Sequence, residues 1–512
     1  MKPLISACVL SIFALFFSAG GCGNNAPETF VNGRSLVEIA GSGDSNLFRI
    51  TRDRYNGAIR DLPIGVFDSG IGGLTVLSEI LTVDEFDNAT HARGADGRPD
   101  FENERFIYLG DQANMPYGNY PSENKVGFLR ELIVKDAVFL LGERYWPTAA
   151  SDAPLFDKPP VKAIVIACNT ATAYGLEDVR AALVTWGIPI YLVGVVEAGA
   201  KGAIEELKER GSDGAVAVMA TVGTCKSEGY PRAIEAVALE NGVDIPDVTQ
   251  QGSLGLAGAI EGDESFVVDS AKAGTVEYRG PSTGNSAAPI DPALAESYGF
   301  ETDGLLGDPG NPSSWRLNSV ENYVRYDVAT LVDKHSRRQG AEPITAVILG
   351  CTHFPFHVDR IAASFERMRN YTTPTGEHPY AASVAENMVF IDPSRITAEQ
   401  LFEALAISGA LLGNDESSAI PVDEFFISVP NPALESAVIA QNGGFEYGYK
   451  YGREPGNFTV EYVRRVPMNG DNLSSHVQES IRETMPEVWR RLVIFNRESP
   501  RIRNLPESVR LR

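Results

Sequence analysis

At 512 residues the chain is long enough for two or more domains with sizeable buried cores. Its 44 basic against 68 acidic residues leave a formal charge of -24, which argues against nucleic acid as a partner and against docking on anionic lipid by charge alone. An apolar share of 43% and a charged share of 22% are ordinary for a globular protein.

The chain opens with Lys2, an apolar run from Leu4 to Phe17 that is short for a bilayer span, and small residues at Ser18, Ala19, Gly20 and Gly21. Cys22 follows at once. Residues 1–22 therefore read as an export signal, and Ala19-Gly20-Gly21-Cys22 resembles the bacterial lipobox. That resemblance implies lipidation of Cys22, with the protein exported and anchored to a membrane, periplasmic or at the cell surface. Gly23, in place of a retaining aspartate, points to the outer membrane. A plain cleaved signal with a chance cysteine is the bland alternative, and without a signal the protein is cytoplasmic. Residues 23–60, polar and glycine-containing, read as a tether.

From residue 61 short apolar runs alternate with stretches of helical period. The runs Ile64–Phe67, Phe106–Leu109, Ala163–Ile166, Ile190–Val193, Ala215–Val218 and Ala346–Leu349 predict strands buried on both faces of parallel sheets. Leu176–Leu183 and Ala198–Arg210 predict helices between them. This alternation means an α/β fold with ligand sites at the carboxyl ends of strands. Residues 61–195 are assigned to a first domain, completed by about 386–430, and 196–385 to a second. A segment rich in Gly, Pro, Ser and Asn at about 281–316 reads as an inserted surface loop, with smaller insertions at His91–Glu104 and Pro147–Pro160. Residues 431–512 form a C-terminal extension, with an amphipathic helix near Ser475–Leu492.

Of five cysteines, Cys8 and Cys22 belong to the leader. The other three form neither a disulfide framework nor a metal-ligand spacing. A lone cysteine in an apolar strand is ordinarily a small core residue, and Cys225 is read that way. Cys168 and Cys351 differ, because each directly follows an apolar run and precedes polar turn residues: Ala167-Cys168-Asn169-Thr170 and Gly350-Cys351-Thr352-His353. Inverting an α-carbon needs a base on one face and an acid on the other. A thiol with a reference pKa of about 8.5 serves in either role. Asp68, ending the first strand in Asp68-Ser69-Gly70-Ile71-Gly72-Gly73, and His353 are candidate tuners of the two thiols.

Together these motifs resemble the glutamate racemase family, within the aspartate/glutamate racemases. The resemblance runs from Ile64–Leu74 through Tyr108-Leu109-Gly110-Asp111, Met115-Pro116-Tyr117-Gly118 and Ala167–Ala171. It continues with Gly194–Gly199, Thr224-Cys225-Lys226-Ser227 and Tyr230, and closes with Gly350–Pro355 and Ile391-Asp392-Pro393-Ser394. It implies two similar α/β domains with mainly parallel sheets, an active site in the cleft between them, and proton transfer by two thiols without cofactor or metal. By position, Cys351 would deprotonate L-glutamate and Cys168 D-glutamate, assisted by His353 and Asp68. The implied substrate contacts are Asp68, Ser69, Pro116, Tyr117, Gly118, Asn169, Thr170, Thr224, Thr352 and His353, with Glu261 as an acid near the site. The implied partner is the free amino acid; a homodimer is compatible with the resemblance.

Three departures bear on selectivity: Asn114 stands where the family usually has arginine, Val222 where it often has an acid, and the residues before Glu261 lack Ala-Cys-Pro. Racemisation of aspartate or another amino acid is one alternative. A lipid-anchored amino-acid binding protein that kept the cleft is another, although binding alone does not call for two opposed thiols. Export also sets reduced thiols in a compartment where they are readily oxidised.

Overall fold

The computed structural model describes residues 35–211, 214–268, 277–413, 416–435, 438–440, 443–503 and 505–512. The export signal, Cys22 and the first part of the expected tether lie outside the described residues.

Ten strands build two sheets. The first contains β1 (Ile64–Asp68), β2 (Phe106–Gly110), β3 (Ala163–Ile166), β4 (Tyr191–Gly194), β9 (Glu424–Pro430) and β10 (Val463–Pro467), in the order β10-β9-β2-β1-β3-β4. All neighbours run parallel except β9 and β10. The second contains β5 (Ala215–Thr221), β6 (Val248–Ser253), β7 (Ile344–Gly350) and β8 (Val384–Ile391), in the order β8-β7-β5-β6, all parallel.

Side-chain alternation explains why the strands are apolar throughout. In the first sheet Phe67, Ile107, Leu109, Ile164, Ile166 and Phe426 pack toward the helices Val126–Leu141 and Asn169–Trp186. Their neighbours Val66, Phe106, Tyr108, Val165, Phe425 and Ile427 pack on the opposite face against Leu74–Thr82, Pro393–Ser408 and Pro486–Glu498. Helices on both faces leave no position in β1, β2 or β3 that tolerates water. The second sheet repeats the pattern. Met219, Val347 and Leu349 face Val320–Ser336 and Val358–Arg369, while Val218, Ala220 and Ile348 face Val195–Glu209 and Gly229–Asn241.

The structure corrects three sequence expectations. Residues 35–60 are no tether: Ser35 and Glu38 form a reciprocal capping box that starts the helix Leu36–Ser42. Leu36, Ala40, Phe48, Ile50 and Tyr55 are buried in the first core, and Trp186 Nε1 donates to the Val37 carbonyl at 2.8 Å. Residues 281–316 are no simple surface loop. Leu305–Leu306 and Arg316–Leu317 form an antiparallel pair, and Ile290, Tyr298, Trp315 and Leu317 enter the second core. Tyr298 stacks on Phe300 at 4.8 Å. Residues 431–512 are no appendage either, since β10 edges the first sheet and Met468, Val488, Leu492 and Phe495 lie in its core. The single helix expected near Ser475–Leu492 is two, Ser475–Thr484 and Pro486–Glu498. Proline lacks the N–H that a continuing helix needs, and at the first position of a new one it needs none.

Candidate active site

The carboxyl ends of β1, β3 and β7 bring the predicted residues into two clusters joined by the Asp68–Gly73 turn. Asp68 closes β1 with its carboxyl group buried. Its Oδ2 accepts the backbone N–H groups of Gly70 (3.1 Å) and Gly73 (2.9 Å), which closes the turn. Oδ1 is buried without a protein hydrogen-bond partner. Burial pushes the Asp68 carboxyl above the usual range, against the opposing pull of the His353 charge and of the backbone amides.

Cys168 is separated from β3 by one residue, Ala167, and caps the helix Asn169–Trp186, its Sγ accepting the Ala171 N–H at 3.4 Å. The thiol also contacts Ser69 Oγ at 3.7 Å. Burial, and secondarily the neighbouring Asp68, pushes the Cys168 thiol far up, so its proton is firmly held. The helix continues into Asn169 and Thr170, both buried. Asn169 Oδ1 accepts the Tyr230 hydroxyl at 2.6 Å, and Thr170 Oγ1 lies 3.0 Å from Thr224 Oγ1 and 3.1 Å from Thr221 Oγ1. These bonds tie the first domain to Thr221, Thr224 and Tyr230 of the second.

The second cluster is built on β7. Cys351 Sγ lies 3.6 Å from His353 Nδ1, and His353 Nε2 lies 2.7 Å from Glu261 Oε1. Burial alone would discharge His353, but its hydrogen bonds to Cys351 and Glu261 hold it well above the ordinary histidine range, as an imidazolium. Glu261 ends the helix Leu256–Glu261, and its Oε2 accepts from Gln112 Nε2 at 3.3 Å. The β1 turn presses directly on this cluster: a Cβ at Gly72 would lie 2.6 Å from Thr352 Oγ1 and 2.7 Å from His353 Cε1. Glycine at 72 is what permits that approach.

The Pro116–Gly118 segment contributes less directly than expected. The Tyr117 hydroxyl lies 2.6 Å from Asp111 Oδ2 and 2.7 Å from Asp136 Oδ2, so the side chain is anchored inside the first domain. Burial, and then repulsion from Asp111, raises the Asp136 carboxyl to about 8. Gly118 abuts Thr221, where a Cβ would come within 2.7 Å of the hydroxyl oxygen. Asn114, at the position where arginine was expected, donates to both Asp111 oxygens (3.0 and 2.9 Å) and accepts from Arg453 Nη2 at 2.7 Å. Arg465 Nη2 bonds Asp136 Oδ1 at 2.8 Å. The C-terminal segment therefore supplies guanidinium groups to this buried acid cluster. Cys225 sits on the short helix Val222–Lys226 and packs among residues of the second domain's core.

Sequence reasoning did not list Gln112, Thr221 or Tyr230 as site residues. Tyr230 was visible as a motif residue, but its bond to Asn169 depends on domain packing. Thr221 had a local signal as the cap of Val222–Lys226, where its side chain accepts the Thr224 N–H.

No protein-family model matches the chain. A glutamate racemase from Enterococcus faecalis is 39% identical over 175 residues, which are 34% of this chain and 47% of the relative. Over this stretch the chain is similar to glutamate racemases. A second one, from Halothermothrix orenii, is 32% identical over 206 residues, covering 40% of this chain and 60% of the relative. The chain thus spans about half the length of the curated glutamate racemases it matches. A crystal structure of glutamate racemase from Bacillus anthracis aligns with a TM-score of 0.41 at 23% identity, covering 72% of this chain and 89% of that one.

Proposed function

We propose that the chain is a cofactor-independent racemase that interconverts L- and D-glutamate through two thiols. The observation that carries this reading is the pair of cysteine clusters. On one side His353, paired with Glu261, lies 3.6 Å from the Cys351 sulfur, within reach of a proton passed to or from it. On the other, burial and Asp68 keep the Cys168 thiol protonated.

With L-glutamate between them, the Cys351 thiolate takes the α-proton and the Cys168 thiol returns one to the opposite face. One proton leaves the carbon and one arrives, so no oxidant or external acid is consumed. The resulting thiol at Cys351 and thiolate at Cys168 are the starting state for D-glutamate, in agreement with microscopic reversibility. Asn169, Thr170, Thr224 and Thr352 line the seam and supply hydrogen-bonding groups for the α-amino and α-carboxylate groups.

The names of the curated relatives, glutamate racemases, support glutamate as the substrate. We further propose export and lipid anchoring through Cys22, supported by the apolar run and the small residues before it. Incorporation of labelled palmitate by the wild-type chain, lost in Cys22→Ala, tests the anchor; no label on the wild type rejects it. For the reaction, chiral chromatography of L-glutamate incubated with the purified, reduced protein should show D-glutamate. Cys168→Ala and Cys351→Ala should each abolish it. Binding of glutamate without any conversion would reduce the chain to an amino-acid binding protein.

A further inference from the structure

The C-terminal segment places a cation at the rim of the site. The helix Tyr447–Gly452 lies along the 115–123 stretch of the first domain. Lys450 Nζ donates to the Met115 carbonyl at 2.7 Å, and the Tyr451 hydroxyl donates to the Pro116 carbonyl at 3.3 Å. Tyr447 donates to Glu123 Oε1 at 2.7 Å, and Lys125 pairs with Glu454. The same helix reaches the second domain, where the Arg279 guanidinium lies 3.5 Å from the centre of the Tyr447 ring. It therefore contacts residues of both domains.

The rim under Lys450 is part of the site. Met115 Sδ would lie 2.6 Å from a Cβ at Gly70, in the Asp68–Gly73 turn, and Gln112 bonds Glu261, the partner of His353. Asp263, Asp111 and Glu261 lie around Lys450 together with Arg453, and the substrate contacts that the resemblance implies include no lysine or arginine. A dicarboxylic amino acid carries a distal carboxylate beyond its α-amino and α-carboxylate groups, and a cation at this rim is placed to meet it.

We propose that Lys450 is a specificity-determining residue that pairs with the distal carboxylate of an acidic amino acid at the cleft mouth. The inference takes the ligand class from the racemase reading, but it concerns binding and not proton transfer. One of the three ammonium N–H groups is committed to Met115, which fixes the head group and leaves two donors. Burial pulls the Lys450 pKa down to about 8, while Asp263, Asp111 and Glu261 hold it up and Arg453 opposes them. At neutral pH the group is still mainly charged.

Calorimetric titration of the reduced full chain with D-glutamate and with D-glutamine separates the distal carboxylate from every other contact. Lys450→Met should weaken D-glutamate binding about tenfold, the scale of one charge-assisted hydrogen bond, and leave D-glutamine within about twofold. Lys450→Arg should recover part of the discrimination. Equal losses for both ligands would make Lys450 a support of the Met115 loop only, and no change for either would remove it from the site; both overturn the inference. Chiral assay of the same samples keeps the two readings apart. Selective weakening without racemisation rejects the racemase reading alone. Racemisation with unchanged discrimination rejects the role of Lys450 alone.

Discussion

Glu261→Gln tests the electrostatic arrangement around Cys351. Glu261 Oε1 and His353 Nε2 are 2.7 Å apart, with the two side chains only 9% and 10% exposed. An opposite charge at this range raises a histidine by roughly 1–3 pKa units, or about 1.4–4 kcal/mol of preference for the imidazolium. Glutamine keeps the volume and an oxygen that accepts from His353, so the variant should fold with little change in melting temperature. The charge is gone, and His353 then loses its proton at lower pH. The alkaline limb of kcat/KM for racemisation should move toward acid by about one to three units, with a roughly 10- to 1000-fold loss on that limb. Rates on the acid side should fall less. Because the equilibrium constant between enantiomers is one, kcat/KM must fall equally in both directions. An alkaline limb that stays in place while Glu261→Gln remains folded would refute the imidazolium role of His353.

Other perturbations reach further from the thiols. Arg453→Met removes the bonds to Asn114 Oδ1 and Tyr120 Oη (2.7 and 3.3 Å) and the packing over Phe128 and Phe445, and should cost about 2–4 kcal/mol in chemical denaturation. An unchanged denaturation midpoint would count against that network. Lys158 is buried, and burial lowers its pKa to about 7 while Glu424 opposes the shift. Between about pH 7 and 10.5 the unfolded chain therefore binds a proton that the folded chain does not, and this group makes stability rise with pH across that window. Lys158→Met should flatten the rise and be more stable than wild type near pH 6, as read from thermal unfolding at several pH values. Cys225→Ala should keep racemase kcat/KM within about twofold, because the Cys225 side chain packs among core residues of the second domain; a hundredfold loss would bring the third thiol into the chemistry.

Much of the fold was legible because parallel strands covered on both faces become continuous apolar runs. Ile64–Phe67 and Ala163–Ile166 could be read with no knowledge of their partners. The two thiols were legible for a related reason: each run ends where polar turn residues begin. Residues 35–60 were not legible, since Leu36, Ala40, Phe48, Ile50 and Tyr55 are scattered among polar residues and acquire meaning only through packing on Trp186 and Val161. β10 was hidden by Arg464 and Arg465, whose charges are absorbed by Trp146 and Asp136 from elsewhere in the chain. Asn114 looked like a loss of charge in the sequence. In the fold Arg453, more than 300 positions later, donates to it. Lys450 and Gln112 likewise gain their places from tertiary contacts that no local pattern announces.

The two-thiol account is tested most directly by racemising L-glutamate in deuterated water and analysing both enantiomers at low conversion. Two bases that each carry one proton and act on opposite faces predict a single deuterium at the α-carbon of the D-glutamate formed, with the remaining L-glutamate unlabelled. Deuterium accumulating equally in residual L-glutamate would mean that one exchangeable base serves both faces, and the assignment of Cys351 and Cys168 to separate faces would fall.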